Sequence, residues 1–196
     1  MKYVVGVDVG ATKIRVGLFT LSGELLRATT TSTPQEGSDT VVAGLIVSKI
    51  FELTPDPRRD VVAVGVGTVG PIDIRRGDVV GAPNVKLRNF KLKAPIEEAL
   101  RVRTYVVNDC VAAAWGEYTV GAGRGLSNVV YVTLSTGIGC GAVIEDHLLL
   151  GKDGNAHEVG HIVLDYSGRF TCGCGGLGHW EGIASGANIP KTAAVL

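Results

Sequence analysis

The sequence predicts a mixed α/β fold. The N-terminal part of the chain forms one sheet, and a second structural unit begins near residue 120. Two observations support this prediction. Segments with strand character alternate with helical segments up to that point, and a new set of strand-like segments follows it. A chain of 196 residues has room for one large domain, or for one domain and part of a second.

The first three segments predict an antiparallel meander. Residues 3–8 form an apolar run, and residues 13–19 alternate between polar and apolar side chains. A Ser-Gly turn at residues 22–23 leads into residues 24–31, which also have strand character. Because antiparallel strands can be joined by short turns, we expect these three segments to pair in sequence order.

Helices and parallel strands follow the meander. Residues 42–53 carry apolar side chains at helical spacing, and Ser38 or Asp39 can cap this helix. Residues 61–66 are continuously apolar, which is typical of a parallel strand buried on both faces. The other elements of this unit are a hairpin around residues 76–78, a helix at 95–101, a strand at 104–107 and a helix at 109–118.

The second unit is predicted to begin with a pair of strands. Residues 128–134 and 138–144 both have strand character and are separated by a glycine-containing turn. Residues 151–178 are loop-rich, and helical character returns from residue 180 onward.

The composition argues against several classes of partner. Nineteen basic and nineteen acidic residues give a formal net charge of zero, so the charge does not favour nucleic acid or an anionic membrane. The first apolar run is short and reaches Asp8 at once, unlike a signal peptide, and no stretch is long and apolar enough to span a bilayer. We therefore expect a cytoplasmic protein whose four cysteines do not form a disulfide framework.

Two turns between strands have the character of phosphate-binding turns. The first contains Asp8, Gly10, Thr12 and Lys13, and the second contains Thr136 and Gly137. Glycine lets backbone N–H groups approach an anion closely. In the first turn, the Asp8 carboxylate can hold Mg²⁺ through water, while Thr12 and Lys13 can reach phosphate oxygens. The alternative for each turn is an ordinary hairpin with a polar or glycine-rich tip.

Residues 65–70 match the dinucleotide-binding pattern G-x-G-x-x-G and follow a predicted strand. That function requires a helix to begin there and an acidic residue about 20 positions later. Residues 71–74 are extended instead, and there is no acidic residue near Asn89. We reject a nicotinamide site and interpret the segment, including Gly70, as a glycine-rich floor against which a hydroxyl-rich ligand packs.

Asn108 and Asp109 stand where a predicted strand ends and a helix begins. Open α/β sheets bind ligands at the carboxyl ends of their strands, so the Asp109 carboxylate is a candidate for catalysis. The same position suits a helix cap, which is the commoner role of an aspartate there. The residues by themselves leave both interpretations open.

A cluster of cysteine and histidine residues predicts a structural zinc site. Its members are His161, Cys172, Cys174 and His179, in a glycine-rich segment. Thiolate and imidazole are good Zn²⁺ ligands, and four of them complete a tetrahedron. An isolated C-x-C pair is common by chance, but one flanked by two histidines is not.

The same segment contains the zinc-peptidase pattern H-E-x-x-H, at residues 157–161, with Glu181 as a possible third ligand. A peptidase requires both histidines on one helix, one turn apart. Gly160 weakens such a helix, and the flanking residues have the character of loop and strand. We keep a zinc peptidase only as a remote alternative.

Taken together and in order, these motifs resemble the ROK family of sugar kinases and repressors. The resemblance covers residues 8–186. It depends on the ordered set Asp8-x-Gly10-x-Thr12, Gly65-x-Gly67 with Gly70-Pro71, Pro83-Asn84, Asn108-Asp109, Thr136-Gly137-Ile138-Gly139-x-Gly141, Glu158-x-x-His161, Cys172-x-Cys174-Gly175 and Glu181.

The resemblance implies the actin-like ATPase fold, with two RNase-H-like lobes and the site in the cleft. The N-terminal lobe would comprise residues 1–118. Residues 119–196 would be the beginning of a C-terminal lobe, including a zinc loop at 157–181, and would end before that lobe is complete. By the same analogy we expect a homodimer.

The resemblance also implies an activity and a site. The activity is ATP-dependent phosphorylation of a hexose, most simply glucose at its 6-hydroxyl, with Mg²⁺ and with Asp109 as the catalytic base. The sugar site would be lined by Asn84, Asn108, Asp109, Glu158, His161 and Glu181, with Gly70 in its floor. Zinc would shape the loop that carries Glu158 and Glu181, and His161 would direct one ring nitrogen to zinc and the other to a sugar hydroxyl.

This sequence departs from the family pattern at two places. His179 stands where the family usually has a third cysteine, which gives the zinc site one negative charge less. Family members also continue into helices that contact adenosine. The alternative to an active kinase is therefore a truncated sugar-binding remnant without kinase activity. The first strand begins at residue 3, which leaves no room for the helix-turn-helix of the repressors and favours the kinase branch.

Overall fold

The computed structural model describes residues 1–82 and 85–195, in two compact units, Met1–Asp109 and Cys110–Leu196. In chain order, unit 1 contains β1 (Tyr3–Val9), β2 (Lys13–Thr20), β3 (Leu25–Ser32), α1 (Val41–Leu53), α2 (Pro57–Asp60), β4 (Val61–Thr68), β5 (Ile72–Asp73), β6 (Asp78–Val79), β7 (Phe90–Lys91), α3 (Lys93–Leu100) and β8 (Arg103–Asn108). The next helix, α4 (Asp109–Thr119), begins on the last residue of unit 1.

The main sheet of unit 1 has the strand order β3-β2-β1-β4-β8. The predicted meander is confirmed, because β1 pairs antiparallel with β2, and β2 pairs antiparallel with β3. Strand β4 pairs parallel with both β1 and β8. In this register Thr68 lies beside Val9 on one side and Asn108 on the other, so the carboxyl ends of three strands share one edge of the sheet.

Helices α1 and α3 cover one face of this sheet. Their inward side chains, such as Ile46 and Ile96, are fully buried against apolar residues of the strands. Burying a side chain of this size contributes about 1.5–3 kcal/mol. This single apolar core fixes the sheet that carries the candidate site residues at its edge.

Two details of unit 1 differ from the sequence prediction. The cap of α1 is Thr40, not Ser38 or Asp39, and no side chain there makes a capping hydrogen bond. Strand β4 is not buried on both faces, since Val62 is 42% exposed. Along this apolar run the burial is uneven, because Val64 and Val66 are buried while Gly65 between them is exposed. The predicted hairpin around residues 76–78 is confirmed by the pairing of β5 with β6.

Unit 2 contains the rest of α4, an antiparallel sheet of β9 (Val129–Leu134), β10 (Ile138–Ile144) and β11 (His147–Leu148), a 3-10 helix (Val159–His161), and the short helices α5 (Trp180–Ala184) and α6 (Ile189–Ala193). The predicted pair of strands is confirmed. No helix in the described part of the chain is both long enough and apolar enough to cross a membrane.

Glycines of β10 let α4 pack closely against this sheet. A Cβ atom on Gly141 would lie 2.2 Å from the carbonyl oxygen of Cys110, and one on Gly139 would lie 2.5 Å from the Cys110 sulfur. Gly139 and Gly141, which follow the Thr136-Gly137 turn, therefore serve helix packing, a role that the sequence analysis did not separate from phosphate binding.

Candidate functional site

Asn108 and Asp109 lie at the carboxyl end of β8, at the edge that it shares with β1 and β4. Gly70 lies close to this point, because a Cβ atom added to it would be 3.3 Å from the Asn108 amide nitrogen. Asp109 is the first residue of α4, where the helix dipole stabilises a negative charge. The structure therefore brings Asn108, Asp109 and Gly70 together. Asn84, the other sugar-site residue predicted in this unit, lies outside the described residues.

The first predicted phosphate turn joins β1 to β2. Its backbone is closed by a hydrogen bond from the Gly10 N–H to the Lys13 carbonyl, at 2.9 Å. The Thr33 hydroxyl donates to the Gly10 carbonyl at 2.7 Å, and Thr33 itself is buried. These bonds fix the turn from its inner side, while Thr12 and Lys13 are exposed.

Asp8 has a partner that the sequence analysis missed. The Arg15 guanidinium donates to the Asp8 carboxylate at 2.8 Å, because the two residues lie opposite each other on β1 and β2. Both side chains are about half exposed or more, at 48% for Asp8 and 63% for Arg15. The alternation of polar and buried residues along β2 places Arg15 on the same face as Lys13, which is the signal that could have found it.

The second predicted phosphate turn, residues 135–137, joins β9 to β10 and is here called the phosphate turn. The Ser135 N–H donates to the Gly137 carbonyl at 2.9 Å, and Thr136 is exposed. The next residue, Ile138, donates its backbone N–H to the Glu181 carboxylate at 2.8 Å. Glu181 was predicted to face a sugar, and the structure gives one of its oxygens a backbone partner in addition.

The cysteine and histidine residues predicted to hold zinc come together in unit 2. One ligand atom from each of His161, Cys172, Cys174 and His179 lies within 4.8 Å of the other three. The Nδ1 atoms of the two histidines are 3.3 Å apart, and the Cys174 sulfur is 3.6 Å from His161 Nδ1 and 3.3 Å from His179 Nδ1. Cys172 is buried, and its sulfur lies 3.8 Å from His161 Nδ1.

These distances fit a tetrahedral zinc ion. With metal bonds of about 2.0 Å to nitrogen and 2.3 Å to sulfur, the edges of the tetrahedron are about 3.3 Å between nitrogens and about 3.5 Å between nitrogen and sulfur. Burial raises the pKa of the Cys172 thiol, a hydrogen bond from the Cys174 backbone lowers it in part, and the Cys174 side chain and Glu181 raise it further. A bound divalent cation opposes the rise, since it favours the thiolate.

His161 has two differently placed ring nitrogens. Its Nδ1 atom faces the cysteine and histidine cluster, and its Nε2 atom lies 3.5 Å from the Glu158 carboxylate. A carboxylate beside the outer nitrogen of a ligating histidine fixes the orientation of the ring. Glu158 and His161 therefore lie together.

The peptidase alternative lacks its structural requirement. Residues 157–161 are not one α-helix, because only Val159–His161 are helical and they form a 3-10 turn. His157 is buried, and its Nε2 atom lies 3.1 Å from the Gly154 carbonyl oxygen. The two histidines of the pattern thus have separate environments, and only His161 belongs to the cluster.

Comparison with known proteins gives the same family throughout the chain. The sequence profile of the ROK family matches residues 4–194. A glucokinase from Aeropyrum pernix is 43% identical, over 100% of this chain and 61% of its own length. The chain spans about three fifths of the length of the curated relatives that it matches first.

Solved structures share the fold. A ROK family glucokinase from Streptomyces griseus, in complex with glucose and AMPPNP, matches with a TM-score of 0.81 and 38% identity, over 96% of this chain and 59% of that one. A ROK hexokinase from Thermus thermophilus matches with a TM-score of 0.84 and 36% identity, over 98% of this chain and 63% of that one. The mixed α/β architecture predicted from the sequence is confirmed.

Proposed function

Because this chain belongs to the ROK family, we propose that it phosphorylates a hexose with ATP, with glucose as the simplest acceptor at its 6-hydroxyl. The observation that carries this proposal is the similarity to glucokinases across the whole chain, including one solved with glucose and an ATP analogue. The position of Asn108 and Asp109 at the carboxyl edge of parallel strands supports it, since this is where open sheets bind ligands.

Asp109 is proposed as the catalytic base. Phosphoryl transfer depends chiefly on positioning and on charge neutralisation, so one carboxylate that accepts the proton of the attacking hydroxyl is sufficient acid–base machinery. Asp109 is the first residue of α4, where the helix dipole favours the negative charge of a carboxylate.

The remaining sugar contacts are proposed for polar side chains of both units. In unit 1, Gly70 leaves room for the Asn108 amide, which is proposed to bind a sugar hydroxyl. In unit 2, the Glu158 carboxylate and the outer nitrogen of His161 are close enough to share one hydroxyl-rich ligand. Asn84 and Glu181 complete the proposed set. Several hydrogen bonds of this kind make a site strict, because a missing hydroxyl leaves buried polar groups unpaired.

The nucleotide is proposed to use the two glycine turns. Thr12 and Lys13 are exposed at the first turn and can reach phosphate oxygens, beside Gly10. Thr136 and Gly137 form the phosphate turn. Asp8 would hold Mg²⁺ through water, and its exposed pair with Arg15 is weak enough to open, since such pairs contribute at most about 1 kcal/mol.

Zinc is proposed as a structural ion held by His161, Cys172, Cys174 and His179. The distances between their ligand atoms and the mixed sulfur and nitrogen donors support it. With all four tetrahedral positions filled by protein, the ion supplies stability to the loop and leaves no open position for a substrate.

Three further predictions from the sequence accompany this proposal. They are the actin-like arrangement of two lobes, with limits at 118 and 119, the homodimer and the cytoplasmic location. The first rests on the ROK structures that the chain resembles, and the other two on analogy and composition.

The test compares Asp109→Asn with wild-type chain. We expect Asp109→Asn to abolish ADP release with glucose while glucose still binds, measured by a coupled assay and by calorimetry. Asp56→Asn is the matched control, because Asp56 caps α2 and asparagine caps equally well. Near-normal kcat in Asp109→Asn would refute the assignment of the base. Glucose binding without ADP release in the wild-type chain would instead favour the sugar-binding remnant.

A further inference from the structure

The backbone of Ile138 is held from two sides by the loop at residues 157–181, which carries the proposed zinc ligands and is here called the metal loop. Its N–H donates to the Glu181 carboxylate at 2.8 Å. Its carbonyl oxygen lies against Gly160, where an added Cβ atom would be only 2.3 Å away. Ile138 is the residue directly after the phosphate turn, so both contacts act on the end of that turn.

Both contacting segments also carry proposed metal ligands. Gly160 precedes His161, and Glu181 follows His179 by two residues. The two histidine Nδ1 atoms are 3.3 Å apart, so an ion bound to both would join the two segments. The segment after Glu181 also contacts the phosphate turn, since the N–H of Gly186 donates to the carbonyl of Ser135 at 2.8 Å.

We infer that Glu181 is a positioning residue that ties the phosphate turn to the metal loop through the Ile138 N–H. A hydrogen bond from a backbone N–H to an ionised carboxylate is about twice as strong as a neutral one. The bond spans 43 residues of sequence, so it is a tertiary restraint on the turn and not a local one. The position of the phosphate turn then depends on whether the metal loop holds its ion.

Glu181 has a second oxygen for another partner. Oε1 lies 3.8 Å from the Cys172 sulfur, which can donate only while it carries a proton. A metal-bound cysteine is a thiolate and has no S–H to donate. The 3.8 Å contact is long, so Oε1 is available to another donor while Oε2 holds the Ile138 N–H. This consequence rests on the proposed function, in which that donor is a sugar hydroxyl.

The decisive measurement is amide hydrogen exchange at Ile138 in the zinc-loaded chain, followed by NMR. We expect Glu181→Ala to accelerate exchange of this amide about tenfold or more, because a charge-assisted hydrogen bond is lost. Glu181→Gln keeps an acceptor oxygen and should stay within about threefold of wild type. The amide of Val64 in β4 of unit 1 is the internal control and should not change.

Two other perturbations test the same link without relying on Glu181. Gly160→Ala should also accelerate exchange at Ile138, since its methyl group displaces the Ile138 carbonyl. Removal of zinc with a chelator should do the same. Unchanged exchange at Ile138 in both Glu181→Ala and Gly160→Ala would overturn the inference, as would equal acceleration at Ile138 and Val64.

Nucleotide binding separates this inference from the proposed function. If the phosphate turn binds phosphate, Glu181→Ala should weaken Mg²⁺-AMPPNP binding severalfold, and Glu181→Gln should largely restore it. If wild-type chain does not bind AMPPNP, the nucleotide role of the turn is wrong, and the exchange rate of Ile138 still decides whether Glu181 positions the turn.

Discussion

Because α4 packs closely on β10, we predict that Gly141→Ala destabilises the protein. An alanine Cβ there would lie 2.2 Å from the Cys110 carbonyl oxygen and 2.9 Å from the Ala114 Cβ. Ordinary van der Waals contact begins near 3.4 Å, so the obstructing backbone would have to move by about 1.2 Å. Overpacking of this kind costs about 1–3 kcal/mol, and we expect the upper end because the obstacle is backbone.

Tryptophan fluorescence during urea unfolding measures this effect selectively. The chain has two tryptophans, Trp115 and Trp180, and both lie in unit 2 together with Gly141. Gly116→Ala is the matched control. Gly116 lies in α4, the helix that packs on Gly141, and nothing lies within 4 Å of its added Cβ, so helix propensity should make Gly116→Ala more stable by up to about 1 kcal/mol. Equal stability of the two variants would refute the packing role assigned to Gly141.

Three further predictions concern the metal loop, the hairpin and the core. Cys174→Ser should reduce Zn²⁺ affinity about tenfold or more, measured by competition with a chromogenic chelator, because one thiolate ligand is lost. Hydrogen bonds from the backbone and side chain of Arg76 lower the pKa of Asp73 below its usual value. The stability from this carboxylate should be present above about pH 3.9 and disappear as the pH falls through its lowered pKa. The deficit of Asp73→Asn should therefore shrink in acid during chemical unfolding. Ile46→Ala, at a fully buried position of α1, should cost about 2–5 kcal/mol by circular dichroism.

Local patterns determined most of the secondary structure and the composition of the candidate site. Apolar periodicity placed β1, β2 and α1 to within a few residues, because burial of one face imposes that period on each element. The spacing of cysteine and histidine identified the four side chains that the structure brings together, since few other patterns place four such donors in one loop. Ordered motifs identified the family.

The tertiary structure decided which of these groups have partners. The pairing of Asp8 with Arg15 depends on the register of two strands, and the bond from Ile138 to Glu181 joins residues 43 positions apart. The approach of Cys110 to Gly141 depends on how a helix lies on a sheet. A sequence records the propensity of each segment, but contacts between distant segments depend on packing that all of them satisfy together. For that reason the residue types of this site could be predicted. The sequence could not show which of its glycines and carboxylates are used in contacts within the protein and which are left for a ligand.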